Sequence, residues 1–194
     1  MSTLRNPLEL PDDLPVPVND GASDHLRGMR VPSIPLMSTD GTLVDLAILE
    51  GRTIVYCYPR TGKPGEPLPT GWDDIPGARG CTPESCGFRD HHEKVLGRGV
   101  ERIFGVSTQN TEYQQEVAAR LALPFALLSD ENLSLTRALR LPTFEVDGMV
   151  LLKRLTLVIR DGRIEHAFYP VFPPDRHAEQ VADWLANESR VLGG

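Results

Sequence analysis

The chain has 194 residues and only three cysteines, and two of these, Cys81 and Cys86, stand five positions apart in the stretch GARGCTPESCGFRD. A cysteine reacts as its thiolate. With an ordinary pKa of about 8.5 the thiol is mostly protonated at neutral pH, so a reactive cysteine needs neighbours that stabilise the anion. Thr82 followed by Pro83 reads as a helix N-cap followed by the residue best suited to the first helical position. Cys81 would then immediately precede a helix start, where unpaired N–H groups and the positive dipole end favour an anionic sulfur, with Arg79 a nearby cation in sequence. Cys86 falls inside the same helix, where that advantage has faded, and Phe88 beside it points to partial burial. Cys81 is the better nucleophile and Cys86 the candidate second thiol.

On a continuous helix, positions five apart have Cα atoms roughly 8 to 9 Å apart, whereas a disulfide tolerates up to about 7 Å. The pair can be bridged only if the helix start unwinds. That spacing fits a cycle in which Cys81 attacks an oxidant, becomes a sulfenic acid, and is captured by Cys86 after the first turns melt. Gly80 and Gly87 flank the piece that must move, and Gly87 weakens a helix by about 1 kcal/mol relative to alanine. The same residues also allow other readings. Two close cysteines can be no more than small buried hydrophobes. A zinc site would add His91 and His92, but one helix would have to carry all four ligands, and adjacent histidines point to different faces. A thioredoxin-type dithiol needs Cys-x-x-Cys, which the chain lacks.

Several elements must position these groups. Residues 1–28 hold Pro11, Pro15 and Pro17 among acids and glycine and read as an extended arm with at most one short strand pair, to which no function is assigned. Residues 29–194 read as a single domain. VPSIPLMSTDGTLVDLAILEG reads as a hairpin turning at Asp40-Gly41, and TIVYCY as a buried central strand ended by Pro59. A Pro/Gly-rich segment at about 60–80 has no periodicity and reads as a functional or covering loop. The helix carrying the cysteines is expected to run to Gly97. VERIFGVST then reads as a strand, TEYQQEVAARLAL as a helix stopped by Pro124, FALLS as a strand and ENLSLTRALRL as a short helix. After a loop through Pro142, two strands turn at Asp161-Gly162, and DRHAEQVADWLANES closes the chain as an amphipathic helix. The pattern implies an α/β fold with a mixed central sheet flanked by helices.

Apolar residues make up 40% of the chain and charged residues 24%, values ordinary for a globular protein. The formal charge of −7, with no long basic run, argues against nucleic acid as a partner. No apolar run is long enough to span a bilayer, and the start MSTLRNPLELPDDLP is broken by prolines and acids where a signal peptide needs an apolar block. The expected compartment is the cytosol. In its reducing environment a close cysteine pair points to catalysis or metal binding rather than a structural disulfide.

GCTPESCGFRD resembles the active-site motif of peroxiredoxins of the bacterioferritin-comigratory (peroxiredoxin Q) type, and VYCYP, GVST, FALLSD and RLTLVIRDGRI match further pieces of that family. The resemblance runs from Met29 to the C-terminus. It implies a thioredoxin-like fold and a thiol peroxidase that reduces hydrogen peroxide and organic hydroperoxides. It also makes Cys81 peroxidatic, Cys86 resolving and Arg154 the catalytic arginine, which without the resemblance would read as a strand-end surface charge. It implies no metal or organic cofactor, recycling by thioredoxin or a glutaredoxin-like dithiol, and a monomer or weak homodimer. The competing activity for the same pair is a thiol–disulfide oxidoreductase or redox sensor, and the competing non-enzyme is a zinc-held interaction module.

One departure stands out. The family reads Pro-x-x-x-Thr-x-x-Cys, and here Ala78 stands where the threonine should be, because Pro59 lies 22 positions before Cys81. The hydroxyl must then come from Thr61, Thr70 or Thr82, with Thr61 favoured. Cys57, mid-strand, reads as a buried hydrophobe, the alternative being another resolving thiol. Trp72 reads as a plug for the loop or a wall of the substrate entrance, and His166 and His177 as surface residues.

Overall fold

Strand Arg52–Cys57 is buried at every position because both of its faces are covered. In the computed structural model, which describes residues 10–192, Ile54 and Tyr56 project to one side of it and Val55 and Cys57 to the other. This strand is β3. It lies in a seven-stranded mixed sheet ordered β2-β1-β5-β4-β3-β8-β9, formed by β1 Pro35–Ser38, β2 Leu43–Asp45, β4 Arg102–Ser107, β5 Leu127–Ser129, β8 Leu155–Arg160 and β9 Arg163–Phe168. The β3–β4 and β4–β5 pairs are parallel and the others antiparallel. The hairpin β1–β2 turns at Asp40-Gly41 as expected and joins the main sheet through β5.

On the Tyr56 face lie α1 Cys81–Asp90, α2 His92–Leu96, α3 Thr111–Arg120 and α5 His177–Leu192, which supply Phe88, Val95, Val117 and Leu185 to one core cluster. On the opposite face α4 Ser134–Leu139 packs Leu135 and Leu139 against Leu26, Val55 and Leu157. No helix among the described residues is long and apolar enough to cross a membrane.

Several expectations need correction. The helix cap is Gly80, not Thr82: with φ of 110° Gly80 starts the helix, so Cys81 is already helical and Pro83 lies in the first turn. The predicted helix to Gly97 is two, because the chain departs from helical dihedrals at His91. The segment after Pro142 is a hairpin, not a loop, with β6 Thr143–Val146 paired to β7 Met149–Leu152 around Asp147-Gly148 as a separate two-stranded sheet. The third helix ends at Arg120, ahead of Pro124, where Ala122 takes a left-handed conformation. His177 is 1% exposed and donates or accepts at Thr156 Oγ1 (2.8 Å), while His166 stacks on Trp184 (4.7 Å), so neither is a simple surface residue. In the arm, residues 1–9 lie outside the described residues; residues 10–28 contain turns and no strand pair.

Candidate active site

The register that pairs Cys57 with Leu155 sets Arg154 at the end of β3, where the chain leaves the sheet toward Cys81. Arg154 is buried, contrary to a strand-end surface charge. Its Nη2 lies 3.2 Å from Cys81 Sγ and donates toward the carbonyls of Gly77 (3.3 Å), Ala78 (3.3 Å) and Arg79 (3.2 Å). Its Nη1 donates to the Glu84 carboxylate, which is wholly buried. Arg154 Nε and Glu84 Oε1 are buried without a hydrogen-bond partner. One guanidinium thus holds the loop before the helix, the sulfur and the acid of the first turn in a single cluster.

Cys81 begins α1 because Gly80 permits the turn before it. A Cβ at Gly80 would meet Pro174 Cγ at 2.3 Å, so the helix start is also seated against the 3-10 turn Pro174–Arg176. Lower down, a Cβ at Gly87 would meet the Asp175 carbonyl at 3.3 Å, so this glycine serves close packing as well as weakening the helix. Ser85 accepts from Tyr56 Oη (3.1 Å), and Phe88 stacks on the Tyr56 ring (4.6 Å). Cys86 is partly buried, and both cysteines are free thiols on one unbroken helix. A disulfide between them would require the first turns of α1 to unwind.

Burial pushes the Cys81 thiol up, Arg154 pulls against it, and Glu84 pushes it further up, leaving it above the ordinary range. The helix N-terminus and the Arg60 backbone N–H work in the same direction as Arg154. Glu84 is itself pushed up to about 7 by burial, which outweighs the attraction of Arg154. Glu84 was missed in the sequence, although an acid three positions after Cys81 on a helix lies one turn away from it.

None of the three candidate hydroxyls hydrogen-bonds the sulfur among the described residues. Thr61 is buried, but its hydroxyl donates to Gln109 Oε1 (3.1 Å), and Gln109 Nε2 donates back to the Thr61 carbonyl (3.1 Å). Thr70 is exposed and its N–H donates to Asp147 Oδ2 (2.9 Å). Thr82 is buried next to Cys81. Arg79, expected as a nearby cation, turns its guanidinium to Asp73 (3.3 Å). Trp72 is buried with Ala78, Val146 and Leu151, plugging the 60–80 segment against the β6–β7 hairpin. Cys57 is fully buried in the core cluster on the opposite face of the sheet, and burial pushes its thiol far up. His91 Nδ1 donates to the Gly87 carbonyl (3.0 Å) and His92 packs near Phe125 (5.9 Å); no group of three or more His, Cys, Asp or Glu among the described residues is placed to hold a metal.

A mixed central sheet flanked by helices, with a thiol at a helix start, is a thioredoxin-like fold. Solved structures agree on the fold. The Mycobacterium tuberculosis peroxidoxin BcpB superposes with a TM-score of 0.66 at 24% identity, covering 83% of this chain and 96% of its own. The Xanthomonas campestris bacterioferritin comigratory protein, solved in work on its alkyl peroxide reduction activity, gives a TM-score of 0.62 at 22% identity over 91% of this chain and 99% of its own. The Redoxin family profile matches residues 26–183. The Escherichia coli (strain K12) peroxiredoxin Bcp is 30% identical over 81% of this chain and 94% of its own length. The chloroplastic peroxiredoxin Q of Oryza sativa subsp. japonica is 28% identical over 78% of this chain, which spans 62% of the rice protein. The chain belongs to the redoxin family, among its peroxiredoxins of the Bcp and peroxiredoxin Q type.

Proposed function

We propose that the chain is a thiol peroxidase in which Cys81 attacks a hydroperoxide and Cys86 closes an intramolecular disulfide. The observation that carries this reading is the 3.2 Å contact between Arg154 Nη2 and Cys81 Sγ at a helix N-terminus. The likeness to Escherichia coli peroxiredoxin Bcp supports it.

The Cys81 thiolate attacks the terminal peroxide oxygen; the S–O bond forms as the O–O bond breaks, and the departing hydroxide or alkoxide takes a proton and leaves as water or alcohol. Arg154 carries two tasks. It is a charge partner for the thiolate, and its planar donors can follow the peroxide oxygens as negative charge moves onto the leaving group. It can neutralise one anion fully at a time, so Glu84, protonated for part of the time near neutral pH, releases Arg154 for the sulfur. With no hydroxyl on the sulfur, the Arg60 N–H and Arg154 position the substrate. The sulfenic acid on Cys81 is then attacked by the Cys86 thiolate; the S–S bond forms and the sulfenic oxygen leaves as water. An external dithiol of the thioredoxin or glutaredoxin kind, in a cytosolic setting, returns both thiols by exchange.

The test is direct. Reduced protein mixed with hydrogen peroxide should consume it at least about a hundredfold faster than free cysteine. A rate equal to that of free cysteine removes the peroxidase reading and leaves thiol–disulfide exchange as the use of the pair.

A further inference from the structure

Residues 10–20 of the arm lie across the chain that leads into α1. A Cβ on Gly80 would stand 3.2 Å from Leu10 Cδ2, and one on Gly77 3.6 Å from Pro17 Cβ, so the arm rests on both ends of the turn before Cys81. Arg154 Nη2 holds the same turn from the other side, through the carbonyls of Gly77, Ala78 and Arg79. The arm is itself anchored behind these contacts. The Asp20 carboxylate accepts from Lys153 Nζ (2.8 Å) and Tyr169 Oη (2.8 Å), His25 Nε2 lies 2.9 Å from the Leu139 carbonyl oxygen, and Leu26 is wholly buried in the core. Pro11, Pro15 and Pro17 stiffen the stretch beyond the anchor, because each fixes its own φ.

Between the contacts the hold is light. The arm bridges a cavity of about 400 Å³ whose walls include Val16, Val18, Ile75 and Arg154, and Val16 and Val18 remain 62% and 81% exposed. A segment with so few buried apolar contacts opens locally at little free-energy cost. It can therefore add a modest restraint to the start of α1 and still lift when that start unwinds. All of it precedes residue 26, where the match to the Redoxin family begins.

We propose that residues 10–20 are a strap that holds Cys81 in its helical position and so divides the Cys81 sulfenic acid between two fates, with Leu10, Pro17 and Asp20 as positioning residues. The proposal rests on the peroxidase reading. In the first fate the helix start unwinds, the Cys86 thiolate attacks the sulfenic sulfur, the S–S bond forms and the sulfenic oxygen leaves as water. In the second the helix stays wound, and the sulfenic acid attacks a second hydroperoxide: another S–O bond forms as the O–O bond breaks, giving a sulfinic acid and water or an alcohol. Delayed unwinding favours the second fate. The strap thus makes the chain a peroxidase that excess hydroperoxide inactivates.

Two measurements on the full-length double variant Leu10→Ser/Asp20→Asn test it, since these changes remove one contact and the latch at positions outside the core. The first needs no peroxide. Amide hydrogen exchange across the start of α1 in the reduced variant should quicken about fivefold, the factor to which about 1 kcal/mol of lost restraint corresponds. Unchanged exchange overturns the strap whether or not the chain reduces peroxide. The second is the hydrogen peroxide concentration at which half of Cys81 becomes sulfinic acid, read by mass during turnover with dithiothreitol. It should rise about fivefold in the variant, while the rate of the first peroxide reaction does not rise. A merely structural role would lower that rate without raising resistance. A concentration within about twofold of the parent, or an equal rise in Leu135→Val on the opposite face of the sheet, overturns the proposal. Quickened exchange in a chain whose Cys81 is neither oxidised nor joined to Cys86 would instead remove the peroxidase reading, and the division of fates with it.

Discussion

Cys81, Arg154 and Glu84 form a buried triplet in which one cation faces two acids, and Glu84 and Arg154 affect the sulfur in opposite ways. Glu84 pushes the Cys81 thiol up, so Glu84→Gln should move the pH profile of Cys81 alkylation by iodoacetamide to lower pH. Arg154 pulls the thiol down, so Arg154→Met should move the profile to higher pH and reduce the second-order rate with hydrogen peroxide roughly a hundredfold. Shifts in the same direction would contradict this arrangement. Breaking a buried pair by removing one partner typically costs about 3–5 kcal/mol. The loss in Arg154→Met should fall below that, since Glu84, already pushed up to about 7, can take a proton instead. The two thiols were legible from their spacing and from the turn residues around them. The role of Arg154 was not, because only the pairing of β8 with β3 brings it to Cys81, 73 positions away in sequence. Glu84 was legible only to a reader who took the helix to begin at Cys81.

For Cys81 and Cys86 to join as proposed, α1, helical with the thiols free, has to unwind at its start. One equivalent of hydrogen peroxide should therefore accelerate amide hydrogen exchange across residues 81–88 while leaving β3 and β8 protected. Unchanged protection of α1 in a protein shown by mass to hold the disulfide would contradict the need for unwinding. The helix start is wedged against Pro174, and Gly80→Ala, which would bring a Cβ to 2.3 Å of the Pro174 ring in a left-handed backbone, should destabilise the chain and slow the peroxide reaction together. Thr82-Pro83 resembled a cap because those residue types favour helix starts, but Gly80 reaches a φ of 110° that threonine would resist, and tertiary packing on Pro174 decides the boundary. The β6–β7 hairpin was readable in principle: FEV, Asp147-Gly148 and MVLL carry a strand, a turn and a strand. Strands of four residues each, in a sheet of their own, gave too little periodicity to stand out beside Pro142.

At the scale of the whole molecule, two buried titrating groups set opposed pH trends. Glu84 is raised from 4.5 to about 7, so the folded chain keeps a proton the unfolded chain releases; its contribution to stability is present below 4.5 and lost as pH rises through 7. His177, buried between Phe88, Phe168 and Thr156, is lowered from 6.5 to about 4 by burial; its contribution is present above 6.5 and lost as pH falls through 4. Between these limits the trends offset each other in the parent chain. Relative to the parent, the urea midpoint of reduced Glu84→Gln should fall on acidification across that window, and that of reduced His177→Gln should rise. Slopes of the same sign in both would contradict the assignment. His177 looked like a surface residue because it opens a helix at a polar-looking junction; its burial comes from packing against β8, β9 and α1, which no local pattern announces. The arm likewise carried no pattern of its own, and its place over the 60–80 segment is a property of the assembled fold.

The cycle itself is tested most directly by trapping. Reduced Cys86→Ser given one equivalent of hydrogen peroxide in the presence of dimedone should carry a single dimedone adduct on Cys81, while the parent chain treated alike should carry a Cys81–Cys86 disulfide and no adduct. An adduct on Cys86 in Cys81→Ser with none on Cys81 in Cys86→Ser would reverse the two roles, and no adduct in either would contradict peroxide reduction at this site.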